Sequence, residues 1–207
     1  MQKNLFDKEE VVEVYNFNTK GKLTYYPSFF SFKESNIYFE KFLHTIKWQQ
    51  DSINIMGNFI KIPRLTSWFT ETDKSYTYSG IRMSPNIFSE EIINIKNKIE
   101  KISSSSFNSV LFNQYRNGND SVDWHSDDEK ELDSNADIAS VSFGFERDFQ
   151  FKSTIQGAKL KNINLANGSL AIMKSPFQKY FVHRIPKRKM IKYPRINLTF
   201  RVLRKKD

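Results

Sequence analysis

Three side chains have the types and the spacing of a metal-binding set. His125 and Asp127 are separated by one residue, and His183 follows later in the chain. In an extended segment, residues i and i+2 point the same way, so His125 and Asp127 can reach one ion. His183 supplies a third ligand if a later strand lies alongside. Such a set leaves open coordination positions on an octahedral metal.

This ligand pattern is that of non-heme Fe(II) oxygenases, but the pattern alone leaves structural alternatives open. His183 could be a core histidine bonded to the backbone. Asp127 could cap a turn or a short helix that begins at Asp127-Asp128-Glu129. The chain has no cysteine, which excludes a thiolate zinc site but leaves zinc on the same three ligands open. We leave His44 out of the set, because it lies beside an apolar position of a predicted helix.

The C-terminal segment 195–201 has a strongly polar face. Polar and apolar residues alternate along it, so Arg195 and Arg201 share one face with Asn197 and Thr199. The two arginines are either surface charges or inward-pointing cations, and buried cations require a bound anion. A dicarboxylate fits them, because guanidinium binds carboxylate through a two-pronged fork.

Short strands separated by turn residues dominate the second half of the chain. Asn113 and Tyr115 share one face of the first of these strands, just before His125, and can bind the same anion. Many short strands at this spacing predict a sandwich or jelly-roll barrel. We predict strands at 109–115, 138–143, 148–152, 159–165, 169–173, 180–185 and 195–203.

Two amphipathic helices are predicted in the first half. Apolar residues recur at helical spacing over 32–48 and again within 85–103, where Ser89 fits an N-cap. Residues 1–26 begin with charged residues, and a short strand is predicted at 11–15. We expect this N-terminal segment to form a loosely attached arm.

A hairpin and an aromatic segment lie between the two helices. Polar and apolar residues alternate on both sides of Gly57-Asn58, which predicts a β-hairpin over 53–62. The segment 75–80 is extended, with Tyr76 and Tyr78 on one face.

The composition favours a polyanionic partner. The 207 residues carry a net charge of +9, which points first to nucleic acid, although a general basic bias of the source proteome would give the same excess. No apolar run approaches the roughly 20 residues that span a bilayer. The N-terminus lacks the apolar core of a signal peptide. We therefore expect an intracellular protein without a membrane partner.

The second half of the chain resembles the AlkB family of Fe(II)- and 2-oxoglutarate-dependent dioxygenases. The matches include Asp123-Trp124-His125-Ser126-Asp127-Asp128-Glu129 and Pro194-Arg195-Ile196-Asn197-Leu198-Thr199-Phe200-Arg201, of which the second is close to diagnostic of the family. Further matches occur in the family's order at 113–115, 138–144, 147–149, 168–170 and 183–186. The first half is similar to the branch that repairs alkylated duplex DNA, through the hairpin, Pro63-Arg64 and Tyr76-Thr77-Tyr78-Ser79-Gly80. The resemblance covers about residues 50–203.

The resemblance implies a role for each matching residue. It implies Fe(II) bound by His125, Asp127 and His183, which are then also the catalytic residues. It implies 2-oxoglutarate bound by Asn113, Tyr115, Arg195, Asn197, Thr199 and Arg201. It implies substrate contacts from Met56, Gly57, Arg64, Tyr76, Tyr78, Ser79, Asp128 and Glu129. Met56 stands where the branch usually has an aromatic finger residue, but Met is also an adaptable apolar wedge.

The implied fold is α+β, with a double-stranded β-helix (jelly-roll) core, N-terminal helices and a nucleotide-recognition hairpin. We expect one structural domain in three parts, at 1–48, 49–103 and 104–207. The implied function is oxidative dealkylation of bases such as 1-methyladenine and 3-methylcytosine in DNA by a monomer that consumes O2. Inside the cell, it would act in the cytoplasm or nucleoid of a bacterium, or in the nucleus of a eukaryote. The alternatives are the same chemistry on RNA, single strands or a protein, and a non-catalytic nucleic-acid-binding module.

Overall fold

The computed structural model describes residues 13–17, 20–55, 57–71, 76–78, 81–83 and 85–204. These residues form three helices and sixteen strands. The helices are α1 (Phe32–Thr45), α2 (Glu90–Glu100) and α3 (Phe177–Tyr180). The strands are β1 (Glu13–Asn16), β2 (Lys22–Tyr26), β3 (Ser52–Ile55), β4 (Asn58–Lys61), β5 (Leu65–Thr70), β6 (Tyr76–Tyr78), β7 (Ile81–Met83), β8 (Asn86–Ile87), β9 (Ser109–Tyr115), β10 (Val122–His125), β11 (Ile138–Gly144), β12 (Arg147–Ser153), β13 (Lys161–Leu165), β14 (Ser169–Lys174), β15 (Phe181–Ile185) and β16 (Arg195–Arg201).

Two sheets build the body of the protein. The major sheet has the strand order β1-β2-β14-β11-β16-β9-β5-β8, and the minor sheet has the order β10-β15-β12-β13. From β9 onward, the chain passes repeatedly from one sheet to the other. One apolar cluster joins the two sheets, with Leu23 and Tyr115 from the major sheet and Phe151 and Ile163 from the minor sheet. The predicted jelly-roll core is confirmed.

The two long helices pack on the major sheet. Their buried residues, including Phe42 and Ile95, join Phe112 and Phe143 in a second apolar cluster. A capping box formed by Ser31 and Glu34 starts α1. The helix ends three residues before the predicted boundary. None of the helices in the described part of the chain is long and apolar enough to cross a membrane.

The second helix begins as predicted. The Ser89 side chain accepts a hydrogen bond from the Ile92 backbone N–H and so caps α2. Ile92, Ile95 and Ile99 lie on its buried face. This side chain satisfies one of the backbone donors that a helix start leaves free.

The predicted hairpin is present as β3 and β4, which pair antiparallel. Gly57 lies in the turn with φ of +85°, a left-handed conformation that glycine adopts without strain. Its N–H donates to Asn54 Oδ1 over 2.8 Å. Met56 lies outside the described residues.

The prediction of a loosely attached N-terminal arm is wrong for residues 22–26. These residues form β2, which pairs antiparallel with β14 over five residue pairs. Leu23 and Tyr25 are buried in the core that joins the two sheets. The strand predicted at 11–15 overlaps β1, whereas residues 1–12 lie outside the described part of the chain. The division of the domain at 48 and 103 stays a prediction.

We predict that Leu23→Ala lowers the free energy of unfolding by about 2–5 kcal/mol, because it leaves a cavity in the core between the sheets. Urea denaturation measures the change. Phe32→Ala is the matched control, since that side chain is 77% exposed, and it should change stability by less than about 0.5 kcal/mol. Equal and small effects of the two substitutions would mean that β2 contributes little to the fold.

Candidate metal and anion site

The pairing of two minor-sheet strands brings the two histidines together. Strand β10 ends at His125 and pairs antiparallel with β15, so that His125 lies opposite His183. Their ring centroids are 4.3 Å apart. A register shift between Val122 and His125 marks a local irregularity of the strand, of the kind that often re-aims side chains beside active sites. Asp127 follows two residues later, just beyond the end of β10.

The three side chains have a geometry that can hold a metal ion. One ligand atom from each lies within 4.8 Å of those of the others. Each histidine Nε2 is 3.9 Å from the nearer Asp127 oxygen. Adjacent ligand atoms that are roughly 2.1 Å from one octahedral ion lie ~3 Å apart. Binding therefore requires the three ligand atoms to draw together by roughly 1–2 Å.

The protonation states also suit a metal. The His125 Nδ1 lies 2.7 Å from the Asp123 carbonyl oxygen, which only accepts, so Nδ1 carries the proton and Nε2 has a free lone pair. Burial, with the neighbouring His125, lowers the pKa of His183 to about 3, so its imidazole is neutral at neutral pH. Burial alone would raise the pKa of Asp127, but the charge and hydrogen bond of Arg201, together with the two histidines, outweigh it and hold that pKa below its ordinary value. Two imidazoles and one carboxylate fit Fe(II).

Asp127 is held by two neighbours. Arg201 donates from Nη2 to Asp127 Oδ1 over 2.5 Å, and both side chains are buried. The Asp127 backbone N–H donates to Gln178 Oε1 over 3.1 Å. These contacts fix the carboxylate next to the histidines. Gln178 was not anticipated from the sequence, because a single glutamine in the short helix α3 gives no signal of such a contact.

The polar face of β16 points into the barrel. Its two arginines are therefore inward-pointing cations and not surface charges. Arg195, Asn197, Thr199 and Arg201 are all buried and line one cavity with His125, Asp127 and His183. Asn113 and Tyr115, from the adjacent β9, line the same cavity. The metal ligands and the predicted anion-binding residues therefore share one space.

Arg195 is a buried cation with free donors. It is 1% exposed, and Nη2 donates to Ser142 Oγ over 2.9 Å. Within the described residues, its Nε and Nη1 have no hydrogen-bond partner, and no carboxylate pairs with it. Burial lowers its pKa to about 10, so it stays charged at neutral pH. An unpaired buried cation is costly, and a carboxylate ligand would offset that cost.

A polar network prepares the rest of the cavity wall. Arg64 donates from Nε to Asn113 Oδ1 over 2.8 Å, and Asn113 donates to Asn197 Oδ1 over 3.3 Å. Asn197 in turn donates to Ser140 Oγ over 2.8 Å, and Thr199 donates to Asn197 Oδ1 over 3.0 Å. Arg64, predicted to contact the substrate, is buried within this network.

Arg147 is a buried residue whose role the sequence did not reveal. It donates to the carbonyl oxygens of Asn117, Asp120 and Pro186 over 3.1, 2.8 and 2.8 Å. Its guanidinium also lies 5.5 Å from the centre of the Tyr115 ring. Arg147 thus ties the loop before β10 to the loop after β15. The motif at 147–149 was the only sequence signal.

Only some of the predicted substrate-contact residues lie in the described part of the chain. Gly57 is exposed at the hairpin turn, Asp128 is exposed and Glu129 is partly exposed. Tyr76 and Tyr78 lie on the short strand β6, and their side chains are outside the description. Met56 and Ser79 lie outside the described residues. These substrate assignments stay predictions.

Comparisons with known proteins agree with this geometry. The family model for the 2OG-Fe(II) oxygenase superfamily matches residues 22–201. The human alpha-ketoglutarate-dependent dioxygenase alkB homolog 3 is 36% identical over 210 residues, covering 96% of this chain and 72% of that protein. The human DNA oxidative demethylase ALKBH2 is 35% identical over 156 residues, covering 72% of this chain and 60% of that protein. The solved structure of OsALKBH1 is 15% identical and superposes with a TM-score of 0.63 over 92% of this chain and 100% of that one, which is a likeness of fold.

We predict that Mn(II), a redox-stable substitute for Fe(II), binds the wild-type protein and raises its Tm, because only the native state has a formed site. His183→Gln should weaken Mn(II) binding by at least ~100-fold, since losing even a residue that supports a ligand costs ~10–100-fold. Isothermal titration calorimetry measures the affinity. His44→Gln, on a side chain that is 73% exposed on α1, is the control and should bind Mn(II) like the wild type. Unchanged affinity in His183→Gln would exclude this residue as a ligand.

Proposed function

Since the chain belongs to the 2OG-Fe(II) oxygenase superfamily and, within it, to the AlkB family, we propose that this dioxygenase removes alkyl groups from DNA bases by oxidation. The main structural support is that one buried cavity contains the His–Asp–His set together with Arg195, a cation with free donors. The substrate class rests on relatives such as the DNA oxidative demethylase ALKBH2. The favoured lesions are 1-methyladenine and 3-methylcytosine.

In this proposal, His125, Asp127 and His183 hold Fe(II). When bound together, Fe(II) and 2-oxoglutarate supply the activation of O2, with oxidation of 2-oxoglutarate to succinate and CO2, that allows hydroxylation of an alkyl group. Arg201 keeps Asp127 ionised and oriented, and the Asp123 carbonyl keeps the His125 proton on Nδ1. The protein thereby presents an ionised carboxylate and the Nε2 atom of His125 toward the metal.

The buried end of the cavity would receive 2-oxoglutarate. Arg195 would bind one of its carboxylates through the donors that lack a partner. Asn113, Tyr115, Asn197, Thr199 and Arg201 would line the remainder of the ligand. Their hydrogen bonds to one another fix the wall in advance, so little ordering is required on binding.

The target base must leave the duplex to reach His125, which is the partly exposed member of the metal-binding set. The β3–β4 hairpin, with Met56 and Gly57 at its turn, would fill the vacated space. Tyr76, Tyr78 and Ser79 would line the base pocket, with Arg64 in its wall. Asp128 and Glu129 could accept hydrogen bonds from an exocyclic amino group, as carboxylates do from cytosine. After hydroxylation, the C–N bond of the hydroxyalkyl group breaks, which leaves the repaired base and an aldehyde.

We further propose that the enzyme acts as a monomer inside the cell. All three candidate ligands and Arg195 come from a single chain, so the site needs no second subunit. Genomic DNA as substrate requires an intracellular location.

We predict that Arg195→Met raises the KM for 2-oxoglutarate by roughly 100-fold or more, because one charge-assisted fork is lost in a buried site. Arg195→Lys should recover only part of the affinity, since ammonium lacks the fork. The measurement is CO2 release as a function of 2-oxoglutarate concentration. Arg204→Gln, at an exposed position, is the control for the change in charge. A wild-type KM in Arg195→Met would refute its role in binding the co-substrate.

The proposed function predicts formaldehyde release from a duplex oligonucleotide that carries 1-methyladenine or 3-methylcytosine, given Fe(II), ascorbate and 2-oxoglutarate. His125→Ala should abolish release, because it removes a ligand. Single-stranded DNA, RNA and a methylated peptide are assayed in parallel. If 2-oxoglutarate turns over without release from any nucleic acid, the chemistry stands but the substrate is wrong. Nucleic-acid binding without any turnover, indifferent to Fe(II) and 2-oxoglutarate, would favour the binding-module alternative.

A further inference from the structure

A groove leads away from the metal-binding set across the outer side of the minor sheet. It has a volume of about 530 Å³ and shares His125 and Ile185 with the wall of the cavity that contains the metal-binding set, so the two spaces adjoin. Lys187 lines this groove and also a second hollow of about 470 Å³. The two hollows therefore meet at Lys187, in the loop that follows β15.

Two cationic side chains contact one aromatic ring in this groove. Trp124 directly precedes His125, and both Lys152 Nζ and Arg184 Cζ lie 4.5 Å from the centre of its ring. Arg184 also donates from Nε to Gln150 Oε1 over 2.8 Å, which fixes its direction. Among the described residues, neither cation forms an ion pair with a carboxylate.

Two like charges next to one indole ring repel each other. Each cation–π contact stabilises the arrangement by only ~0.5–1 kcal/mol at an exposed site. An anion between or beside them would relieve the repulsion. A phosphodiester has the matching charge and presents oxygen atoms to both donors. The groove also contains Asp123, but its carboxylate accepts from the Trp124 backbone N–H.

The second hollow combines exposed aromatic and cationic side chains. Phe145 and Tyr193 stack with centroids 5.4 Å apart and an interplanar angle of 24°, and Tyr193 is 65% exposed. Lys187 and Lys189 line the hollow next to Phe145. Stacked aromatic rings beside cations are the arrangement with which proteins hold single-stranded nucleic acid.

The loop that presents these groups is firmly held. Arg188 N–H donates to the Gly118 carbonyl over 2.7 Å, and Gly118 N–H donates to the Ile191 carbonyl over 2.8 Å. A Cβ on Gly118 would lie 1.7 Å from the Arg188 carbonyl oxygen, so only glycine allows this close approach. Arg188 Nε also donates to Asp148 over 2.5 Å. The surface is thus ordered before any partner arrives, which lowers the entropic cost of binding.

We propose that this surface binds the nucleic-acid strand next to the target nucleotide. Lys152 and Arg184 hold a backbone phosphate beside the site, and the Phe145–Tyr193 pair stacks an unpaired base further along the strand. The inference rests on the proposed function, since it takes the strand to be continuous with the base at His125. It adds four side chains outside the base pocket and the hairpin, namely Lys152, Arg184, Phe145 and Tyr193.

The test measures the affinity of unmodified single-stranded oligonucleotides by fluorescence anisotropy at several salt concentrations. For Lys152→Gln/Arg184→Gln, the slope of log Kd against log salt should fall by ~0.7, the amount expected for one phosphate of a single strand that is no longer neutralised. Lys33→Gln/Lys101→Gln is the matched control, because it removes two exposed charges on the side of the helices and should bind like the wild type. Equal slopes for the two double variants would overturn the phosphate assignment.

Tyr193→Ala should weaken binding of an oligonucleotide of about fifteen nucleotides by roughly 5- to 150-fold, the range expected when one base stack is removed. It should leave an alkylated trinucleotide dealkylated at the wild-type rate, because so short a strand does not reach the ring. Equal affinity of Tyr193→Ala and the wild type for the long oligonucleotide would overturn the stacking role. An acidic peptide that binds as tightly, and is weakened equally by both sets of substitutions, would reassign the surface to a protein partner.

Two combinations of results separate this inference from the proposed function. If no alkylated nucleic acid is dealkylated, yet the variants still lose oligonucleotide affinity, the surface stands and the function fails. If the trinucleotide is dealkylated and the variants bind long strands normally, the function stands and the surface assignment fails.

Discussion

Burial of the polar face of β16 is the constraint around which the rest of the site is built. Strand β16 lies between β11 and β9 near the middle of the major sheet, so its arginines cannot reach bulk water. Each buried polar group then needs a partner. Asp127 pairs with Arg201, and the side chains of Asn113, Ser140 and Ser142 satisfy part of the remainder. The donors left over on Arg195 mark where a ligand belongs.

The need to satisfy buried polar groups also accounts for the candidate metal ligands. Burying an ionised carboxylate next to two histidines ordinarily costs free energy, but Arg201 helps to keep Asp127 ionised while burial keeps His183 neutral. The site therefore carries its negative charge on Asp127 and offers a neutral imidazole at His183. Membership of the 2OG-Fe(II) oxygenase superfamily agrees with this donor set.

Sequence reasoning succeeded where a local pattern determines the result. The first strand of the second half was predicted at the bounds of β9, and the Ser89 cap was correct, because alternation and capping are properties of a few consecutive residues. Alternation also placed Arg195 and Arg201 on one face. It could not decide whether that face points inward, since this depends on which strands lie on either side.

The failures share one physical cause, which is dependence on distant partners. Arg147 acts through carbonyl oxygens of two loops, and any residue type can supply a carbonyl. Gln178 is identified only by its contact with the Asp127 backbone. The segment 22–26 has few local signals of a central role, and its place in the sheet follows from pairing with β14, far along the chain.

The position of β16 also affects the order in which the protein can assemble. The last long strand of the chain fills the gap between β11 and β9, so the major sheet stays split until residue 201 has been synthesised. The pairings of β16 with β11 and β9 join residues far apart in the sequence. Such pairings form late, because closing the intervening loop costs entropy before the contacts can stabilise it. Until then Asp127 lacks Arg201, and the proposed co-substrate site lacks Arg195. On the proposed assignment, a nascent chain that captures iron early would hold it without the means to bind 2-oxoglutarate, so that oxidative activity would be delayed until the barrel has closed.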